Sequence, residues 1–183
     1  MLKLSALLVF ILLCMTSQEV LSRPAVDAEK LAGRQYAELL ARMDEPQLSD
    51  YSGTAHLETY RLIFSEALRD DGPMLVRIEI SKDGSSVVCS KWLNERRHLK
   101  SRRYTLPPEQ TLEFWQGIGQ SGFWDRAQEP LHPGLDGSNW TLEGWKNGKY
   151  HILEEWSPER RDWMTRLGKQ MLSLGHAPIR PSD

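Results

Sequence analysis

The 183-residue chain has very little cysteine, with thiols only at Cys14 and Cys89. Cys14 lies in a leader that we predict is removed, so the mature chain keeps one thiol and has no partner for an intramolecular disulfide. The sequence also lacks a pair of histidines at metal-ligand spacing and has no H-E-x-x-H motif. These absences exclude a disulfide-held scaffold and favour a fold without a metal or other cofactor.

The chain also lacks a strong excess of charge of either sign. It has 23 Lys and Arg against 25 Asp and Glu, a formal net charge of -2. This balance argues against a general nucleic-acid or acidic-polymer binder. After the leader, no apolar run approaches the ~20 residues that a membrane-spanning helix needs. The remaining ~160 residues are enough for one domain with a real core.

The first 22 residues have the pattern of a secretory signal peptide. Lys3 gives a short basic region, residues 4–14 are apolar and uncharged, and Ser22 is a small final residue. We predict that the chain is exported and cleaved after Ser22. The alternative is a membrane-tethered lipoprotein anchored through Cys14, although the bulky residues 11–13 do not suit such a signal.

Composition and turn signals divide the rest of the chain. We expect a linker and an N-terminal helix over residues 23–53, one α+β domain over residues 54–176, and a tail over residues 177–183. The long middle segment contains no internal repeat and no low-complexity block. The sequence therefore predicts a single folded domain behind the leader.

Alternating apolar residues predict an antiparallel sheet of about five to six strands. The expected strands are 56–64, 74–81, 86–92, 100–106, 140–146 and 149–156. One predicted helix begins near Pro107 and ends by Gly122, with a buried stripe at Leu112, Trp115 and Ile118. A last helix begins at Ser157–Glu159, with its stripe at Trp163, Leu167, Met171 and Leu174. The predicted fold is α+β, with both helices packed on one face of the sheet.

The C-terminal hairpin carries the candidate chemistry. If Asn147 and Gly148 form its turn, then Trp145 faces Tyr150, Glu143 faces Ile152 and Thr141 faces Glu154. Glu143 and Glu154 then share one face among aromatic rings, where desolvation suits a carboxylate for acid–base work. The alternative is ordinary solvation, or ion pairs with Arg160 or Arg161.

Tryptophan is abundant, with seven in the chain, and its large amphipathic ring serves either a core or a binding face. The residues that we single out as binding candidates lie in or beside the hairpin: Asp136, Trp140, Glu143, Trp145, His151 and Trp156. A metal alternative would bring His132, Asp136, His151 and Glu154 together, but nothing in their spacing requires it, and we predict no metal site.

The densest basic run contains Arg96, Arg97, Lys100, Arg102 and Arg103. Such a run suits contact with an anionic surface or with another envelope protein. The alternative is a solvated edge strand, because charged edges discourage unwanted strand pairing.

The segment from Ser121 to Pro158 resembles a pattern found in an uncharacterised family of bacterial exported proteins. Its pieces here are SGFWD (121–125), LDGSNWTLEG (135–144), GKYH (148–151) and WSP (156–158). The resemblance extends over about residues 56–175 when the upstream strands are included. It implies a bacterial source and a periplasmic location, but it implies no activity and assigns no catalytic residue.

Together these features predict an exported bacterial envelope protein. We expect it to be periplasmic, with an extracellular or membrane-anchored location as the alternatives. The expected role is a non-catalytic binding or interaction module. An envelope hydrolase using Asp136, Glu143 and Glu154 is the rival hypothesis, so the sequence leaves open whether the chain is an enzyme.

Overall fold

The computed structural model describes residues 33–51, 56–67, 72–93, 99–132 and 134–176. The chain divides into two units, Met1–Glu45 and Pro46–Asp183. In the first unit, helix α1 includes residues 33–42. The predicted signal peptide, the start of the linker and the predicted tail all lie outside the described residues. No helix in the described part of the chain is both long and apolar enough to cross a membrane.

The second unit contains a six-stranded antiparallel sheet in the order β4-β3-β2-β1-β5-β6. Its strands are β1 (His56–Glu66), β2 (Met74–Ser81), β3 (Ser86–Leu93), β4 (Leu99–Leu106), β5 (Ser138–Lys146) and β6 (Lys149–Trp156). The helices are α2 (Pro108–Ser121) and α3 (Trp163–Leu174), with short 3-10 turns at Leu48–Asp50 and Phe123–Asp125. The predicted α+β class is confirmed.

The two faces of the sheet differ because residue types alternate along each strand. One face, which we call the core face, carries apolar side chains that share a hydrophobic cluster with α2 and α3, including Tyr60, Leu62, Val76, Ile78, Val88, Leu142 and Leu153. The opposite face, which we call the ionic face, carries the buried charged residues Arg61, Arg77, Glu79 and Glu143. The core face is thus mainly apolar, whereas the ionic face buries charged groups together with apolar side chains such as Ile63 and Leu75.

Helix α2 buries Ile118 as predicted, but the rest of its buried stripe differs from the prediction. Phe114 and Ile118, four residues apart, are buried, whereas Leu112 is 55% exposed and Trp115 is partly buried. The prediction for Leu112 was wrong because Leu112 lies two residues from Phe114, which places it on nearly the opposite side of a helix with 3.6 residues per turn. The helix ends at Ser121, followed by the left-handed Gly122.

Helix α3 begins at Trp163, six residues after the predicted start at Ser157. Ser157 has a φ of 47°, and its backbone N–H donates to the Ser138 carbonyl at 2.7 Å. Its hydroxyl accepts from the Ser138 N–H at 3.0 Å. Ser157 therefore closes the β5–β6 ladder instead of capping a helix. Trp163, Leu167 and Met171 of the predicted stripe are confirmed as buried, whereas Leu174, its fourth member, is only partly buried.

A polar cluster around Glu58 attaches α2 to the sheet. The Glu58 carboxylate accepts from the Tyr60 hydroxyl at 2.6 Å and from Trp115 Nε1 at 3.1 Å, and it pairs with Lys146 Nζ at 2.6 Å. Trp124 Nε1 donates to the Tyr60 hydroxyl at 3.2 Å. Burial, and then the Glu58 hydrogen bond and charge, raise the pKa of Tyr60 well above its ordinary value, so this hydroxyl stays protonated. The cluster gives buried polar groups their partners at the rim of the core.

Candidate functional site

The C-terminal hairpin has the predicted register. Asn147 and Gly148 both have positive φ in the turn. Trp145 pairs with Tyr150, Glu143 with Ile152 and Thr141 with Glu154. Glu143 and Glu154 therefore share one face of the sheet, which is the ionic face.

The six predicted binding residues do not form one continuous site. From the strand register, Glu143, Trp145 and Trp156 lie on the ionic face. Trp140 and His151 lie on the core face, on the other side of the sheet. Asp136 is exposed in the segment before β5. The hairpin thus presents these side chains in three different environments.

Two of the predicted tryptophans are core residues. Trp140 is 7% exposed, and its ring lies 4.8 Å from that of Phe64 in an edge-on arrangement. Trp140 also lies so close to Gly168 of α3 that a Cβ there would overlap its ring. On the ionic face, Trp145 is 6% exposed and contacts Tyr51 edge-on, with ring centroids 6.1 Å apart. Their large areas therefore serve packing.

His151 lies between two aromatic rings on the core face. Its ring centroid is 4.8 Å from that of Phe123 and 6.0 Å from that of Trp124. Its buried Nε2 atom has no hydrogen-bond partner within the part of the chain that the structure describes. Among the described residues, no group of three or more His, Cys, Asp or Glu side chains is arranged to hold a metal ion. His151 is therefore placed by aromatic packing.

Glu143 is the centre of a buried ionic network. Its Oε2 atom accepts from Arg61 Nε at 2.5 Å, and its Oε1 atom accepts from the Tyr150 hydroxyl at 2.7 Å. Arg61 is 0% and Glu143 1% exposed, and Arg61 also donates to the Pro46 carbonyl at 2.6 Å. Burial, and then the Glu143 charge, raise the pKa of Tyr150 above its ordinary value, which keeps it a donor. Both carboxylate oxygens are occupied, as a buried charge requires.

Glu154 has separate partners. Its Oε1 atom accepts from Asn139 Nδ2 at 2.6 Å. The side-chain amide of Gln128 binds the backbone of Glu154 twice, donating to its carbonyl at 2.9 Å and accepting from its N–H at 2.7 Å. Gln128 thus occupies part of the free edge of β6 in the manner of a neighbouring strand. The two glutamates do not converge on a common reaction centre.

Glu155 is a carboxylate with strongly perturbed acidity. Burial, and then a hydrogen bond with Asp162 and its charge, raise the pKa of Glu155 from 4.5 to about 7. Glu129 adds to this effect and Arg126 opposes it. The neighbouring Asp162 charge disfavours a second negative charge, so Glu155 keeps its proton up to near neutral pH. This pair stands at the entrance to α3, since Asp162 is its N-cap residue.

The basic run is only partly described. Arg96 and Arg97 lie outside the described residues, whereas Lys100, Arg102 and Arg103 are exposed on β4. Strand β4 is an edge of the sheet, and Arg103 donates to Glu79 at 2.9 Å. The basic strand is therefore an exposed, charged edge.

A groove of about 830 Å³ lies between α2 and α3. Arg126 joins the end of α2 to the start of α3, because its Nε donates to the Ser121 carbonyl at 2.8 Å while its guanidinium lies 4.5 Å over the Trp163 ring. Most of the lining is polar, and four glutamines contribute to it: Gln110, Gln116, Gln120 and Gln170.

The groove was not predicted from the sequence. The apolar stripe of each helix indicates which side faces the core, but it does not indicate what lies beside the polar side. The available signal was the spacing of Gln110, Glu113, Gln116 and Gln120, which places polar side chains along one face of α2. A polar helix face is usually just solvated, so the spacing alone did not predict a partner helix beside it.

Comparison with known proteins gives no match, either to a model of a protein family or to a curated protein.

Replacing Arg61 by Met will test the structural role of the ionic network. The variant leaves Glu143 buried without its cation, so we expect a loss of about 3–5 kcal/mol in the free energy of unfolding. The double variant R61M/E143L removes both charges and should recover most of that loss. Urea unfolding followed by tryptophan fluorescence measures both values, and a double variant no more stable than R61M would contradict the assignment.

The Glu155 pair predicts a dependence of stability on pH. The fold binds this proton more tightly than the unfolded chain, so its contribution is complete below pH 4.5 and is lost as the pH rises through about 7. We expect E155Q to be more stable than the wild type at about pH 8, by less than about 1 kcal/mol because the group is partly exposed. Near pH 4 the difference should shrink. Urea unfolding of both proteins across this range measures this difference, and a difference independent of pH would contradict the raised pKa of Glu155.

Proposed function

We propose that this chain is an exported bacterial envelope protein, located in the periplasm, whose folded part is a non-catalytic binding module. We further propose that it belongs to the uncharacterised exported family that its 121–158 segment resembles. In this proposal α2 and α3 pack together on one face of the sheet, following an N-terminal helix. Their exposed side forms the ligand site.

The leader supports export. Its basic start, apolar run and small residue at Ser22 are the three parts of a secretory signal. The thiol of the mature chain, Cys89, is free and 5% exposed, so the fold places it away from the oxidising conditions of that compartment. A tether through lipidated Cys14 is the alternative form of the same exported protein.

The single observation that carries the binding role is the groove between α2 and α3. Its volume of about 830 Å³ falls in the range of about 300–1,000 Å³ that is usual for small-ligand sites. Its glutamine amides offer both donors and acceptors, which suits recognition by hydrogen bonding. The groove lies on helices instead of loops, so the backbone positions that carry these groups are fixed.

The hydrolase alternative has less support from the geometry. It needs Glu143, Glu154 and Asp136 in one cleft with a free carboxylate to move a proton. Glu143 is held by Arg61 and Tyr150, and Glu154 by Asn139. A binding module makes no demand on these side chains, so we favour it.

The exposed edge strand β4 supports a second proposed binding surface, for an anionic partner. Lys100, Arg102 and Arg103 project from β4, in line with an anionic envelope surface or an acidic envelope protein as partner. Arg103 is already bound to Glu79, so its charge is partly compensated. With a formal net charge of -2 over the whole chain, we expect no nucleic-acid binding.

Export predicts the mass of the mature protein. The full chain, expressed in a bacterium and recovered from the periplasm, should begin at Arg23 because the signal is cleaved after Ser22. Intact-mass spectrometry of the purified protein measures this. A diacylated Cys14 would replace the cleavage site with a lipid anchor, and the full-length protein in the cytoplasm would contradict export.

The groove predicts where a ligand will act. When ¹⁵N-labelled protein purified after export is mixed with soluble fractions of bacterial envelope, the side-chain amide resonances of Gln116, Gln120 and Gln170 should shift. The amide of Gln128, bound to the β6 edge, is an internal control and should stay in place. Shifts confined to the hairpin, or consumption of a component of the fraction, would favour the hydrolase over the binding module.

A further inference from the structure

The groove between α2 and α3 has an elongated lining. On α2 its lining runs from Gln110 to Gln120, which at 1.5 Å per residue is a stripe about 15 Å long. On α3 the lining runs from Trp163 to Leu174 over a similar distance. A lining that extends this far along both helices suits a linear ligand better than a compact one.

The lining is polar but nearly without net charge. Among the described residues that line the groove, the one acidic side chain, Glu113, is balanced by the one basic side chain, Arg166. The remaining polar groups are mainly glutamine amides, each of which carries two donors and an acceptor. An ionic ligand would leave its charge uncompensated here, and an apolar ligand would leave the amides without partners.

The apolar part of the lining comes mainly from α3, through Trp163, Leu167 and Leu174. Trp163 is 7% and Leu167 3% exposed, and the Arg126 guanidinium covers one face of the Trp163 ring. An extended peptide gains its specificity from pockets for alternate side chains and its affinity from a free strand edge. Two helices offer no strand edge to which an extended peptide could bind.

We propose that the groove binds an uncharged saccharide chain. Each saccharide hydroxyl is both a donor and an acceptor, which matches the side-chain amides, and a linear chain matches the shape of the site. The inference rests on the proposed function, because it names the ligand class of the same groove. Affinity comes from several modest hydrogen bonds, each contributing about 0.5–1.5 kcal/mol.

Gly117 gives a specific way to disturb this site. A Cβ at Gly117 would overlap the Oε1 atom of Gln170, which is the end of a flexible side chain. Gly117→Ala would therefore displace the Gln170 amide within the groove while leaving the core intact. At Gly119, in the same helix, an added Cβ would have no described atom within 4 Å, so Gly119→Ala provides a matched control.

The experiment titrates the exported protein with a short, uncharged oligomer of N-acetylglucosamine and follows the glutamine amides by NMR. We expect shifts at Gln116, Gln120 and Gln170. In G117A, binding should weaken about tenfold, the equivalent of one or two hydrogen bonds, and in G119A it should be unchanged. Both variants should be at least as stable as the wild type, since Ala is a better helix former than Gly.

A second pair of variants protects the test if G117A folds poorly. Gln170→Ala should weaken saccharide binding, while Gln128→Ala, which changes an amide outside the groove, should not. Equal affinity in all variants would overturn the saccharide site.

Two further probes distinguish a wrong ligand class from a wrong proposed function. A polygalacturonate fragment supplies an acidic saccharide, and a neutral glycine-rich peptide supplies backbone amides alone. If either shifts the groove amides and the neutral oligomer does not, the ligand class is wrong and the binding module stands. If neither these probes nor envelope fractions shift them, both are overturned.

Discussion

The ion pair between Arg61 and Glu143 is the constraint on which the arrangement of this sheet depends. It joins β1 to β5, two neighbouring interior strands of the sheet. Its Arg61 side chain also donates to the Pro46 carbonyl, and its Glu143 side chain accepts from the Tyr150 hydroxyl. A slip of one residue in this register would move a buried guanidinium to the apolar core face. Since a buried charge without its partner costs several kcal/mol, the pair selects one register, whatever its net contribution to stability.

This constraint also decides where function can lie. Glu143 has the residue type and surroundings of an acid–base catalyst, but Arg61 and Tyr150 occupy both of its oxygens. Trp140 and Trp145 are used in packing on opposite faces of the same strand. The hairpin that is richest in chemical groups is therefore largely committed to the fold. On the other side of the sheet, glutamine amides line the groove between α2 and α3.

Much of the fold could be predicted from local patterns. The alternation of Tyr60, Leu62 and Phe64 is typical of a strand, and Asn147-Gly148 is typical of a hairpin turn. The errors arose where a tertiary contact overrode a local signal. Ser157 resembles a helix cap but closes the β5–β6 ladder, and Leu112 is left exposed because Phe114 and Ile118 turn α2 toward the core. The partner of Glu143 was unpredictable from spacing, since Arg61 is 82 residues away in sequence. The groove required knowing that two distant helices lie side by side.

The central proposal is that the ionic network is structural and that the ligand binds on the opposite face of the sheet, in the groove between α2 and α3. The most direct test is to measure the affinity of the R61M/E143L double variant for the oligosaccharide or envelope fraction that binds the wild type, using calorimetry on folded protein. The account predicts an unchanged dissociation constant, because neither side chain reaches the groove. A folded double variant that has lost binding, or a wild type that hydrolyses the ligand while this variant does not, would contradict it.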